Sequence, residues 1–317
     1  MSDKIKFGKS DLMVARVSFG GNVLGWTLDE KESFRMLDAL VDNDLNFIDT
    51  ANNYSYWVPG HQGGESEAII GKWFKESGKR NKIILATKVG GQMGDGSKGL
   101  KADYIRHSVE ASLKRLQTDY IDLYQSHYDD METDQSETMG IYNQLIQEGK
   151  VRFIGASNLE PQRITTANEI ARQNHWASYI SVQPLYNLYD RAKFENEYLP
   201  IVQEGDLAVM SYFALASGFL SGKYRTAADL EGSKRKDMVK GYLNERGLRI
   251  LDALEKIARE HQVSMATLAT AWQINKPEIT TPIVSATNST QLQDIVKAME
   301  LKLTSEDKDA LNHASRY

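Results

Sequence analysis

Apolar positions along this chain follow two alternating rhythms. Short β-branched and aromatic runs occur near positions 16, 46, 82, 120, 151, 179, 208 and 281, and most are followed by a longer stretch with apolar residues three and four apart. The first seven runs start 28 to 38 residues apart, the period of a strand–helix unit, whereas the last gap, from 208 to 281, requires an insertion. Eight such units predict an α/β fold: a (β/α)8 TIM barrel formed by one domain, residues 1–317. Ahead of the first unit, IKFGKSDL places a turn between two β-like runs, predicting an N-terminal β-hairpin that plugs the barrel bottom. Asp29 and Glu32 read as the cap and box partner of a helix with Phe34, Leu37 and Val41 on its apolar stripe. Ile105, Val109, Leu113 and Leu116 share one face of a later, outer-ring helix.

Nearly every predicted strand ends in a polar residue, at the end where such a barrel builds its active site. In order these are Asn22, Asp49 with Thr50 and Tyr54, Lys88, His127, Ser157 with Asn158, Gln183, Tyr212 and Ser285. A lone Lys or His at a strand end is most often structural, but Asp49, Tyr54, Lys88 and His127 form a coherent chemical set. An ammonium beside a phenol is expected to lower the phenol's pKa from about 10, and Asp49 would keep that ammonium charged. His127 could hydrogen-bond the substrate oxygen that Tyr54 protonates, so the set suits making or breaking a C–OH bond. Hydride then needs a source. ASGFLSGKYR, after the seventh strand, offers Gly218 and Gly222 for close backbone approach and Lys223 and Arg225 as cations. Asn288, with Gln291 as box partner, starts a helix without an acid before Asp294, a second place for an anion. The duller reading is that these glycines only turn the chain.

Composition narrows the field. Of 317 residues 41% are hydrophobic and 26% charged, the net charge is −5, and neither nucleic acid nor an anionic membrane is an expected partner. With no cysteine, disulfides, thiolate nucleophiles and iron–sulfur clusters are excluded, and a cytoplasmic location is expected. His61, His107, His127, His175, His261 and His313 are isolated, so no metal site is expected. GDGSKG at 94–99 fits a dinucleotide-binding expression, but Val89 to Met93 separate it from its strand, which argues against that role. Lys88 could instead be a Schiff-base lysine of a barrel aldolase.

FIDTANNY, GESEAIIGKW, ATKVG, SLKRLQTDYIDLYQSHYDD, VRFIGASN, VQPLYN and LASGFLSGKY occur in this order, and the series resembles the aldo-keto reductase superfamily. The resemblance runs from Gly8 almost to the C-terminus and implies NADP(H)-dependent reduction of small aldehydes or ketones, with NAD(H) as the alternative coenzyme. It implies a catalytic tetrad of Asp49, Tyr54, Lys88 and His127. By position, Ser157, Asn158 and Gln183 would hold the nicotinamide carboxamide and Tyr212 would stack on its ring. Ala214, Leu215, Ser217, Gly218, Leu220, Gly222, Lys223, Tyr224 and Arg225 would follow along the phosphate loop, and Ser285, Thr287, Ser289 and Gln291 along the adenosine segment. Thr287 and Ile295 stand where many members carry a cation and an Asn, and Lys234, Arg235 and Lys236 could supply the missing charge. Trp26, Tyr56 and Trp57 are candidate substrate walls. The superfamily also includes potassium-channel β-subunits, so a cofactor-binding regulatory subunit is a further alternative. Oligomeric state is not legible.

Overall fold

The computed structural model describes residues 4–233 and 235–317. Strands β1 (Ile5–Lys6) and β2 (Met13–Val14) pair antiparallel as the expected hairpin. Each of the eight predicted positions carries a parallel strand: β3 (Ser18–Gly20), β4 (Phe47–Asp49), β5 (Ile84–Val89), β6 (Ile121–Ser126), β7 (Val151–Ser157), β8 (Tyr179–Gln183), β9 (Ala208–Val209) and β10 (Ile283–Val284). They pair in that order and β10 returns to β3. The seam between β9 and β10 is closed by Thr281 N to Val209 O (3.0 Å) and Ile283 N to Ser211 O (2.8 Å), completing a (β/α)8 barrel. Regular strand there is shorter than LAVMSY and TPIVSAT predict, because side chains replace ladder partners; Val209 N donates to Thr280 Oγ1.

Period-two alternation sorts the strand side chains into two cores. Phe47, Ile84, Ala86 and Leu123 point inward and pack with Phe7, Leu12 and Val14 of the hairpin region, which therefore plugs the barrel as expected. Ile48, Leu85 and Tyr124, the alternate positions, join the outer core against the helices. One step further up the inward-facing rows, apolar residues give way to Asp49, Lys88 and Gln125, all buried.

Helices α1 (Glu30–Asp42), α2 (Glu65–Ser77), α3 (Ala102–Leu116), α4 (Gln135–Gln147), α5 (Pro161–Gln173) and α6 (Leu199–Gly205) follow the first six barrel strands. The insertion supplies α7 (Lys236–Val239), α8 (Glu245–Glu260) and α9 (Met265–Ile274), while α10 (Ser289–Glu300) and α11 (Ser305–Ala314) follow β10. The Asp29–Glu32 capping box of α1 forms in both directions. Its buried face is Ser33, Met36, Leu37 and Leu40, so Phe34 and Val41 flank the stripe rather than define it. Ile105, Val109, Leu113 and Leu116 of α3 are all buried. Gly71 lets α2 touch the end of α3: a Cβ there would lie 2.0 Å from Arg115 O. Buried Glu67 of α2 accepts from Thr87 Oγ1 (2.6 Å), Ser112 Oγ (3.2 Å) and Arg115 Nε (2.8 Å), fastening β5 to α2 and α3 one residue before Lys88. Among the described residues no helix is long and apolar enough to cross a membrane.

Candidate active site

Three strand ends and one turn meet at the mouth of the barrel. Asp49 ends β4, Lys88 is the inward residue near the end of β5, His127 follows β6, and Tyr54 lies in the turn after β4. Lys88 Nζ is fully buried and donates to Asp49 Oδ2 (2.7 Å), Thr50 O (2.8 Å) and the Tyr54 hydroxyl (2.8 Å). Asp49 Oδ1 accepts from Gln183 Nε2 (2.9 Å) and Gln125 Nε2 (3.1 Å), so a buried carboxylate and a buried ammonium are each fully hydrogen-bonded. The Tyr54 hydroxyl keeps only a long, 3.5 Å contact to Asp49 Oδ2 as donor, and this leaves its proton available. The Tyr54 and His127 rings meet edge-on with centroids 6.0 Å apart.

Burial dominates the titration of this cluster. It pushes the Tyr54 phenol well above its ordinary value, and the Asp49 charge adds to the rise. The lowered phenol pKa expected from the sequence is thereby corrected: desolvation and a carboxylate outweigh the ammonium, and Tyr54 is a protonated acid near neutral pH. Burial also lowers the Lys88 ammonium, opposed by Asp49. His127 is held well below 6.5 by burial and then by Lys88, so its ring is neutral. Its Nδ1 is buried without a hydrogen-bond partner.

Asp49, Tyr54 and His127 open onto a cleft of about 1690 Å³ that runs across the barrel mouth. Ser157, Asn158, Gln183, Tyr212, Ala214, Leu215, Ser217, Gly218, Lys223, Tyr224, Ser285, Thr287 and Gln291 all line it, as do Trp26, Tyr56 and Trp57. Asn158 is held in the left-handed region (φ 54°) by donating to His127 O (3.0 Å) and accepting from the Tyr212 hydroxyl (2.8 Å). The chain kinks at Ser217 (φ 57°) and Gly218 (φ 93°), and the point a Cβ of Gly218 would occupy lies 3.4 Å from Lys223 Nζ and 3.9 Å from Arg235 Nη1. Neither cation has a carboxylate partner among the described residues. At the same cleft α10 begins without an acid in its first turn, capped by Asn288. Gln291 does not close the expected box; its Oε1 accepts instead from Thr287 N (2.8 Å) and Thr287 Oγ1 (3.1 Å).

Leu220, Gly222, Arg225 and Ser289 lie outside this lining. Leu220 is in the outer core, and Arg225 is turned away to Asp252 (2.8 Å) and Glu255 (2.6 Å), which neutralise it. Of the basic cluster, Arg235 lines the cleft, Lys236 does not, and Lys234 is outside the described residues. Sequence reasoning missed Gln125, although it sits inward two residues before His127 on the same alternation that singled out Lys88. It also missed Tyr128, which stacks on His127 at 4.5 Å and which strand periodicity gave no reason to select.

Residues 16–316 match the model of the Aldo/keto reductase family. The chain is 34% identical over 313 residues to "Uncharacterized oxidoreductase YrpG" of Bacillus subtilis (strain 168), covering 96% of this chain and 93% of that protein. It is 33% identical to "Aldo-keto reductase YhdN" of the same organism, over 93% of this chain and 86% of the relative. It is 34% identical to the "Probable voltage-gated potassium channel subunit beta" of Arabidopsis thaliana, over 93% and 90%. A buried acid–ammonium–phenol relay at the mouth of an eight-stranded barrel, with a family match across almost its whole length, makes this chain an oxidoreductase belonging to the Aldo/keto reductase family.

Proposed function

We propose that this oxidoreductase reduces aldehyde or ketone carbonyls to alcohols with NAD(P)H, Tyr54 acting as general acid. The observation that carries the reading is a protonated phenol that lines the cleft, accepts a 2.8 Å bond from a buried ammonium and has only a 3.5 Å contact for its own proton. When bound, the dinucleotide supplies a hydride from the nicotinamide C4 to the carbonyl carbon. Tyr54 gives its proton to the carbonyl oxygen, and the resulting phenolate is stabilised by Lys88, which Asp49 keeps charged. Neutral His127 donates a hydrogen bond to the same oxygen and orients it.

The cleft fits a dinucleotide on its donor chemistry. Ser157, Asn158 and Gln183 present hydroxyl and amide groups beside the tetrad, and Tyr212 offers a ring next to them. Lys223, Arg235 and the acid-free start of α10 suit the phosphates further along. The two cations favour the additional phosphate of NADP(H), our preferred coenzyme, over NAD(H). A Schiff base on Lys88 is disfavoured, since all three ammonium N–H groups are donated and no face of the nitrogen is open to a carbonyl carbon. The complete tetrad speaks for turnover rather than for a purely regulatory subunit. The cysteine-free composition suits the reducing cytoplasm. Steady-state turnover against aliphatic and aromatic aldehydes, dicarbonyls and sugars with each coenzyme tests the reading. Carbonyl-dependent NADPH oxidation, with NADH slower, is expected; no carbonyl-dependent oxidation of either coenzyme would refute it.

A further inference from the structure

Five rings run in an unbroken arc through the two groups assigned to the substrate oxygen. Trp26 meets Trp57 edge-on with centroids 5.5 Å apart, Trp57 meets Tyr54 at 6.1 Å, Tyr54 meets His127 at 6.0 Å, and His127 stacks on Tyr128 at 4.5 Å. Tyr56 backs Trp57 at 5.7 Å. Tyr54 and His127 are thus the middle of the arc, with indoles extending it on one side and a phenol on the other. All five line the same cleft.

The cleft that these rings line carries most of the solvent-facing apolar bulk of the described residues. Of the seven large hydrophobic side chains exposed among the described residues, five line the cleft: Trp57, Tyr128, Met131, Phe213 and Met238. Concentrating exposed apolar surface at one place marks a binding site, because water gains nothing from contact with it. Phe213 is moreover held at φ 55°, a region a bulky residue occupies only when its surroundings hold it there. Asp130, the carboxylate next to Tyr128's loop, is engaged through both oxygens: Oδ2 accepts from Leu100 N (2.8 Å) and Thr133 Oγ1 (2.7 Å), and Oδ1 accepts from Glu132 N (3.1 Å). Asp129 is tied to Arg163 Nε through Oδ1 (2.7 Å) and keeps Oδ2 without a partner among the described residues, a single polar atom in a wall that is otherwise aromatic around Tyr54 and His127.

From this arrangement we infer that the preferred substrate is a ketone with an aromatic or similarly flat apolar group on each side of its carbonyl, one packed on Trp57 and Trp26 and the other on Tyr128. The inference rests on the proposed roles of Tyr54 and His127. A carbonyl oxygen bound between those two rings sends the two substituents of its trigonal carbon in divergent directions, and each direction meets an aromatic wall. An aldehyde has hydrogen on one side and uses only one wall. A small hydrophilic carbonyl uses neither.

The test is a ketone series with the NADPH-supplied enzyme: butanone, 4-phenyl-2-butanone and 1,5-diphenyl-3-pentanone, whose methylene spacers keep the carbonyl electronically alike. We expect kcat/KM to rise by about tenfold or more with each ring, the scale of burying and stacking one aromatic group. Trp57→Ala and Tyr128→Ala should each cut the ratio of the two-ring ketone to butanone by about tenfold. A second readout is quenching of tryptophan fluorescence in the NADP+-loaded protein by 1,5-diphenyl-3-pentanol, expected to be saturable and to weaken about tenfold in Tyr128→Ala. Turnover of butanone or small aldehydes with a flat or falling series, or a ratio unchanged in both variants, would overturn the inference alone. Absence of turnover with every carbonyl would instead overturn the proposed reaction, and the substrate assignment with it.

Discussion

Replacing Lys88 with methionine removes the ammonium while keeping the length and apolar bulk of the side chain. Breaking a buried ion pair costs about 3–5 kcal/mol, because the surviving charge is left uncompensated. Here the survivor is Asp49, and its Oδ1 retains donors from Gln125 and Gln183, so the cost should fall at the low end, about 3 kcal/mol. With an unfolding entropy of roughly 2.1 cal/mol/K for each of 317 residues, that lowers Tm by about 4–5 °C. The catalytic loss is larger in proportion. The phenolate formed at Tyr54 loses a donor 2.8 Å away in a water-poor site, and removing one such donor costs about 10²–10³ in rate. Lys88 does not line the cleft, so NADPH affinity should stay within about threefold. Single-turnover NADPH oxidation, a fluorescence titration with NADPH and a thermal melt separate the three quantities. A variant that binds NADPH, melts within the expected range and still turns over within about threefold of the wild type would refute the role given to Lys88.

Two further outcomes are expected. Folded His127 resists protonation below 6.5 whereas the unfolded chain accepts it, so the unfolded state binds more protons and stability falls as pH drops. Between pH 7.5 and 5.5 stability should fall by about 1 kcal/mol through this one group, a contribution that His127→Gln removes in urea titrations at the two pH values. Lys223→Ala and Arg235→Ala should each weaken NADPH binding about five- to tenfold at low salt and less at high salt, whereas Arg225→Ala, already neutralised by Asp252 and Glu255, should shift it less than about twofold. Equal effects from all three in a salt-dependent titration would show that the cation assignment is wrong.

The fold was legible because its two periodicities are strong. Runs of β-branched residues at a thirty-residue spacing located seven barrel strands, the run at 281 located the eighth beyond the insertion, and inward alternation brought Asp49, Lys88 and His127 to the barrel mouth. Several features depended on the third dimension. The titration of Tyr54 is one, because the ammonium is visible in the sequence while the desolvation that outweighs it is not. Arg225 and Lys223 are two residues apart in one loop, and only the positions of Asp252 and Glu255 on α8 decide which one stays in the cleft. Nothing local in GESEAIIGKW marks Glu67 as buried; Thr87, Ser112 and Arg115 from two other elements enclose it. The ring arc draws on three separate loops, so no local pattern announces it.

The most direct test of the central claim is transfer of deuterium from [4-²H]NADPH to a ketone, followed in single turnover for the wild type and Tyr54→Phe. Label is expected on the carbinol carbon in the wild type, and in the variant a rate lower by about 10²–10⁴ with NADPH binding preserved. Label transfer in Tyr54→Phe within about threefold of the wild-type rate would contradict it, since the proton would then come from a group other than Tyr54.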